Sequence, residues 1–193
     1  MKKTFVRLAV SLALVASGAA LAASIAEGFD RVLPGDYRSL LLKGKHAYEG
    51  KRYDEAFAAF QRTACAGDKE SQSALGRMYL LGQGTARDDL TGYAWLKVAA
   101  EVNQRGYHAI VDKIEAAMRP EQRRIADVES RRLIDNYGLR ATNMSCNQSS
   151  SSSFGSNLKD AVVCTPQKEG MDFAVRRCAD ADAAAPPNTA AAK

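Results

Sequence analysis

The amino-acid sequence predicts an all-α fold: a short right-handed α-solenoid of helix hairpins that carries a small C-terminal β-hairpin. Apolar residues recur at helical spacing through residues 36–138. A shift of 36 residues superposes similar stretches of the chain, for example Leu75 on Val111, and a period of this length is typical of helical solenoids. Stretches rich in β-forming residues then follow at 161–164 and 173–178.

The N-terminal end of the chain has the pattern of a secretory signal peptide, residues 1–22. It combines a basic start, a short apolar core and a small-residue cleavage pattern at Ala20-Leu21-Ala22. The apolar core is shorter than the ~20 residues that a membrane-spanning helix needs. Residues 23–35 lack helical periodicity and contain Pro34 and Gly35, so we interpret them as a leader. We therefore expect export from a Gram-negative bacterium to a periplasmic or secreted location, with no membrane insertion after cleavage.

Charge gives no support for a nucleic-acid partner. The whole chain has 27 basic and 22 acidic residues, a formal net charge of +5. Removing the three basic residues of the signal peptide leaves 24 against 22 and a net charge of +2. We expect no nucleic-acid binding.

Six helices are predicted within residues 36–138, each from an apolar stripe. The third spans Lys69–Leu81, and the sixth spans Pro120–Tyr137, with proline at its first position and Gly138 after its end. The stripes consist of Tyr37, Leu41, Gly44 and Tyr48; Ala56, Phe57, Phe60 and Ala64; Ala74, Leu75, Met78 and Tyr79; Leu90, Ala94 and Val98; Tyr107, Ile110, Val111, Ile114 and Met118; and Ile125, Ala126, Leu133 and Tyr137.

One segment, "ALGRMYLLGQGTARDDLTGYAWLKVAA" at residues 74–100, resembles the Sel-1-like repeat. The matching positions are Leu75, Gly76, Tyr79, Gly82, Gly84, Asp88, Ala94, Trp95, Ala99 and Ala100. Two positions depart from the pattern: Thr85 stands where valine is usual, and Gly92 lies inside the second helix, so we expect looser packing there. The preceding residues resemble the related tetratricopeptide repeat, and residues 106–138 resemble a degenerate capping hairpin. The resemblance implies a secreted bacterial type of repeat protein.

Glycines and aspartates of this segment have structural interpretations. In the repeat, Gly76 lets two helices approach closely, and Gly82 and Gly84 form the corner between them. "GQG" is no phosphate loop, because no Lys-Ser/Thr follows and no strand precedes it. Asp88 and Asp89 suit a helix N-terminus, where carboxylates accept from unpaired N–H groups.

After Gly138 the composition changes. Residues 139–157, with five consecutive serines at 149–153, are predicted to be a Ser-rich linker. Residues 158–180 are predicted to form a small cysteine-bearing β-hairpin, and residues 181–193 a disordered tail.

Four cysteines are candidates for disulfides in an oxidising compartment: Cys65, Cys146, Cys164 and Cys178. The predicted hairpin favours the pair Cys164–Cys178 across its ladder. Pairing of Cys146 with either of these two is the main rival. Cys65 is predicted to be a small core residue, with a Cys65–Cys146 bond as the alternative.

The predicted function is a non-catalytic scaffold or adaptor of the bacterial envelope that binds a protein or peptide. No catalytic, cofactor or metal site is predicted, since the two histidines, His46 and His108, lie apart and no close cysteine pair occurs. The first helices of the hairpins would line a concave face. Its partner-surface candidates are Arg38, Lys45, Gln72, Arg77 and His108.

Two other functions stay open at this point. Cysteine-rich Sel-1-like relatives have been linked to weak β-lactam binding or hydrolysis, but this chain lacks their cysteine pair within each repeat and has no Ser-x-x-Lys. The third possibility is a peptidoglycan-binding module, with cell-wall contact through the C-terminal hairpin.

Overall fold

A computed structural model describes residues 29–32, 34–149, 161–166 and 173–176. The predicted signal peptide and the predicted C-terminal tail lie outside these residues. The helices are α1 (Pro34–Glu49), α2 (Tyr53–Cys65), α3 (Lys69–Leu81), α4 (Asp89–Ala99), α5 (Arg105–Ala117), α6 (Pro120–Tyr137) and α7 (Leu139–Thr142). The strands are β1 (Phe29–Val32), β2 (Met144–Ser149), β3 (Ala161–Pro166) and β4 (Phe173–Arg176).

Short connections turn the helices into stacked hairpins. Asp68 and Asp88 start α3 and α4 by accepting backbone N–H groups of the first turn, and Pro120 occupies the first turn of α6. Gly82 ends α3 at a left-handed φ of 64°. The sequence-based bounds of α3 and α6 are confirmed, because capping residues stand at their ends.

Three apolar clusters hold the stack together. The first hairpin packs on α3 through small residues and two large ones, Phe60 and Met78. The largest cluster joins α2, α3, α4 and α6, with Trp95 and Tyr137 ring centroids 5.3 Å apart. A third cluster, which includes Leu96 and Val111, places α5 and α6 against α4. Each hairpin therefore buries its apolar face on its neighbours.

The predicted buried stripe of α6 is wrong at Ile125. Ala126, Leu133 and Tyr137 are buried, but Ile125 is 53% exposed. It lies one residue, about 100° around the helix, from Ala126. That rotation carries it out of the contact with α4.

The C-terminal strands pair differently from the prediction. The predicted hairpin would join residues 161–164 to residues 173–178, whereas β3 pairs antiparallel with β2, and β4 pairs antiparallel with β1. The predicted linker 139–157 therefore contains α7 and β2, and the predicted leader contains β1 and the first residues of α1. Met144 and Val162 join the largest helical cluster, so burial on the solenoid accompanies the β2–β3 pairing.

The strand pairing decides one disulfide. Cys146 lies opposite Cys164 in the β2–β3 register, and the two are bonded. The favoured pair Cys164–Cys178 and the alternative Cys65–Cys146 are therefore wrong, and the rival pairing of Cys146 with Cys164 is confirmed. Cys65 lies in the core as predicted, 2% exposed, but it is also disulfide-bonded, which the core interpretation did not include. Cys178 lies outside the described residues.

Replacing both Cys146 and Cys164 with alanine is expected to lower the free energy of unfolding by about 3 kcal/mol. The bond spans a sequence separation of 18, so its removal frees a loop of that size in the unfolded chain. Urea unfolding under non-reducing conditions, which leave the bond at Cys65 intact, measures the change. An unchanged unfolding midpoint would contradict a stabilising role.

Candidate protein-interaction surface

The candidate surface, here called the groove face, is defined by exposed and half-buried residues of α1, α3 and α5: Arg38, Lys45, Glu70, Arg77 and Tyr107. On α1, Arg38 and Lys45 are seven residues apart and so lie two turns apart on one side of the helix. Arg38 is exposed, whereas Lys45 is half-buried. Gly44, beside Lys45, packs its backbone against Phe60 of α2 and fixes the orientation of α1.

An ion pair aligns α1 with α3. Lys45 Nζ donates to Glu70 Oε2 over 2.8 Å, with side-chain exposures of 22% and 41%. Arg77 lies seven residues beyond Glu70 on the same side of α3 and is exposed. Four of the five groove-face residues are thereby placed on two adjacent helices.

Tyr107 brings α5 to the groove face. Burial raises the pKa of its phenol, and the nearby charges of Glu70 and Asp68 raise it further, while Arg77 opposes them. Tyr107 is half-buried and packs against the largest apolar cluster. His108, the candidate predicted on α5, follows Tyr107 and is exposed.

Gln72 is not a surface residue, and its prediction is wrong. Its side chain is fully buried, and Nε2 donates to the backbone oxygens of Ala64 and Tyr137 over 2.9 and 2.8 Å. A sequence signal was present, because Gln72 precedes Gly76 by one helical turn and so shares its face of α3. That face packs against α4.

Gln72 belongs to a group of polar residues, here called the buried polar junction, that the sequence did not reveal. Its members are the buried Tyr37, Asp68, Lys69 and Gln72 and the partly exposed Glu101. At its α1 end, the Tyr37 hydroxyl donates to Asp68 Oδ2 over 2.7 Å. Asp68 Oδ1 accepts the backbone N–H of Ser71 over 2.6 Å. Burial, followed by the Asp68 charge, raises the pKa of Tyr37.

Lys69 is the centre of the buried polar junction. Its side chain is 0% exposed, and Nζ donates to Gln72 Oε1 (2.9 Å), Val98 O (3.0 Å) and Glu101 Oε2 (2.6 Å). Burial lowers its pKa, and the Glu101 carboxylate opposes that effect. Glu101 also accepts the backbone N–H of Leu139 over 3.1 Å. The junction thus ties α1, α3, α4 and the start of α7 together.

A second charged cluster joins α4, α5 and α6 around Glu115. Its carboxylate accepts from the Tyr93 hydroxyl over 2.7 Å and from Lys97 Nζ over 3.0 Å, and it pairs with Arg123. Burial acts to raise its pKa. The two hydrogen bonds and the charges of Lys97 and Arg123 outweigh burial, so the pKa of Glu115 is lowered.

Because the folded pKa of Glu115 is lowered, its contribution to stability is present above the unfolded value of about 4.3 and is lost as the pH falls through the folded pKa. We expect Glu115→Gln to lower the unfolding free energy at pH 7 by about 1–3 kcal/mol, the usual effect of losing charge-assisted hydrogen bonds. The variant should also lose less stability between pH 5 and pH 3 than the parent chain does.

Urea unfolding across this pH range measures both effects. The matched control is Glu55→Gln, because Glu55 is an exposed carboxylate whose ion pair joins it to Arg52, three residues earlier in the chain. The control should leave the pH profile almost unchanged. Parallel profiles for the parent chain and Glu115→Gln would contradict the expectation.

The corner glycines and aspartates have local structural roles. Gly82 and Gly84 adopt φ of 64° and 68°, as a corner requires. Asp88 Oδ1 accepts the N–H groups of Leu90 and Thr91 at the start of α4. Gly92 does not loosen the packing, because a Cβ there would lie 2.8 Å from Gly76 O.

In the described part of the chain, no group of three or more His, Cys, Asp or Glu side chains is placed to hold a metal ion. None of its helices combines the length and the apolar character needed to cross a bilayer.

Comparison with known proteins identifies the type of fold. No protein-family model matches the chain, and the search of curated proteins gave no significant match. Among solved structures, it is similar to c5321, described as a protective antigen present in uropathogenic Escherichia coli strains and displaying an SLR (Sel-1-like repeat) fold. The similarity covers 56% of this chain at 22% identity, with a TM-score of 0.50.

The helical part has the Sel-1-like repeat fold. Hairpin stacking, the glycine corner after α3 and the capped start of α4 agree with this assignment. The chain matches 24% of the length of c5321, so it spans about a quarter of that protein.

Proposed function

We propose that the protein is an exported, non-catalytic adaptor of a bacterial envelope that binds an extended segment of a partner protein along the groove face. The observation that carries the proposal is the alignment of α1 and α3 by the Lys45–Glu70 pair. Arg38 is exposed on the Lys45 side of α1 and Arg77 on the Glu70 side of α3, and neither guanidinium has an ion-pair partner within the described ranges.

The chemistry of the groove face indicates what kind of segment it accepts. Arginine side chains form paired hydrogen bonds with carboxylates, and Arg38 and Arg77 are both exposed. A partner segment rich in acidic side chains would complement this surface. The Sel-1-like repeat fold, the Cys146–Cys164 bond and the sequence of residues 1–22 support the adaptor role and an oxidising destination.

The hairpin of residues 158–180, which was the candidate for peptidoglycan binding, does not form as predicted. β3 pairs with β2, and its Val162 and Cys164 are buried in the largest cluster of the solenoid.

Site-specific photocrosslinking in the bacterial periplasm tests the proposal. A photoreactive amino acid placed at Arg38 or Arg77 should capture a common partner, which mass spectrometry then identifies. The same amino acid at Glu55, exposed on α2, is the matched control and should not capture it. Equal capture at all three positions, or no capture at Arg38 and Arg77, would overturn the proposal.

A further inference from the structure

The outer face of α6 carries two uncovered apolar side chains. Ile125 and Val128 are 53% and 60% exposed and lie three residues apart, hence side by side on the helix. Ala126 and Leu133, on the opposite side of α6, are buried. Within the described part of the chain, nothing covers the apolar pair.

Charges flank this pair symmetrically. Glu121 stands four residues before Ile125, and Arg132 stands four residues after Val128. Glu121 and Arg132 are eleven residues apart, about three whole turns, so they lie on the same line along the helix. Within the helix Glu121 pairs with Arg124 and Arg132 pairs with Glu129. The side chain of Glu121 is 67% exposed and that of Arg132 is 27% exposed, so both pairs reach the surface.

This spacing is self-complementary between two antiparallel helices. A two-fold axis that passes midway between positions 126 and 127 brings Ile125 level with the partner's Val128. The same axis brings Glu121 level with the partner's Arg132. By symmetry, Arg132 lies level with the partner's Glu121. A parallel pair would instead set Glu121 beside a second Glu121, which is repulsive.

We propose that the outer face of α6 is a self-association surface on which a second copy of this chain packs antiparallel. The apolar pair forms the centre of the contact, and two Glu121–Arg132 contacts fix its direction and register. The surface is small, one helix face, so the association belongs to the weak class of interfaces. It involves no residue of the groove face, and neither proposal depends on the other.

Sedimentation analysis of the purified full chain from about 10 μM to about 1 mM tests the proposal, since a weak dimer populates within this range. Glu121→Lys and Arg132→Glu should each weaken dimerisation about tenfold, because each creates two like-charge contacts. An equimolar mixture of the two variants should recover parent-like association. In a mixed dimer, both contacts again join opposite charges.

Glu55→Lys is the matched control, an equal charge change on α2, and should leave the association unchanged. Recovery in the mixture also shows that both variants are folded. A chain that stays monomeric throughout the range, an effect of Glu55→Lys equal to that of Glu121→Lys, or a mixture no better than its components would each overturn the proposal.

Discussion

Lys69→Ala is expected to lower the free energy of unfolding by about 3 kcal/mol, because it removes a fully buried ammonium together with its hydrogen bonds. The Lys69 ammonium is fully buried and satisfies acceptors on Gln72, Val98 and Glu101. Truncation leaves these oxygens without their donor and opens a cavity where the side chain lay. The loss should appear in urea unfolding monitored by circular dichroism.

Lys45→Ala is the matched control for this prediction. It also removes a lysine that pairs with a glutamate at 2.8 Å, but that pair is partly exposed, so its loss should cost about 0–1 kcal/mol. Lys69→Met, which keeps most of the apolar stem, should fall between the two alanine variants. Equal losses of unfolding free energy for Lys69→Ala and Lys45→Ala would show that burial does not determine how much each lysine stabilises the fold.

The buried polar junction shows where apolar periodicity stops being informative. That periodicity indicates which side of a helix is buried when apolar residues mark it, as in α3 and, apart from Ile125, in α6. Lys69 and Gln72 are polar and buried, and their partners Glu101 and Tyr137 O lie 32 and 65 residues along the chain. A pattern read within one helix contains no information about such distant partners.

The prediction of strand pairing was also wrong because it used only local sequence. A short connection between 161–164 and 173–178 favours a local hairpin, since a short loop costs little entropy. The observed β2–β3 pair has a longer connection but buries Met144 and Val162 and closes the Cys146–Cys164 bond. Packing against the solenoid, which the strand sequences alone do not show, accompanies the longer loop.

The corner between α3 and α4 was predicted from its glycines, because the left-handed backbone conformation of a tight turn favours glycine. Gly84 adopts φ of 68°, and a Cβ there would lie 2.3 Å from Tyr53 O, at the start of α2. Gly82 adopts a similar φ of 64°, yet its Cβ would come no closer than 3.5 Å to a neighbour. The two glycines therefore share a conformation and differ in contact.

Gly84→Ala should accordingly destabilise the fold by about 3 kcal/mol, which combines about 1–2 kcal/mol for the left-handed conformation with a similar cost for overpacking. Gly82→Ala should show the conformational part alone, about 1–2 kcal/mol. Urea unfolding of both variants yields the contribution of the contact between the corner and α2 by difference. A Gly84→Ala loss no larger than that of Gly82→Ala would mean that the corner does not hold the first hairpin in place.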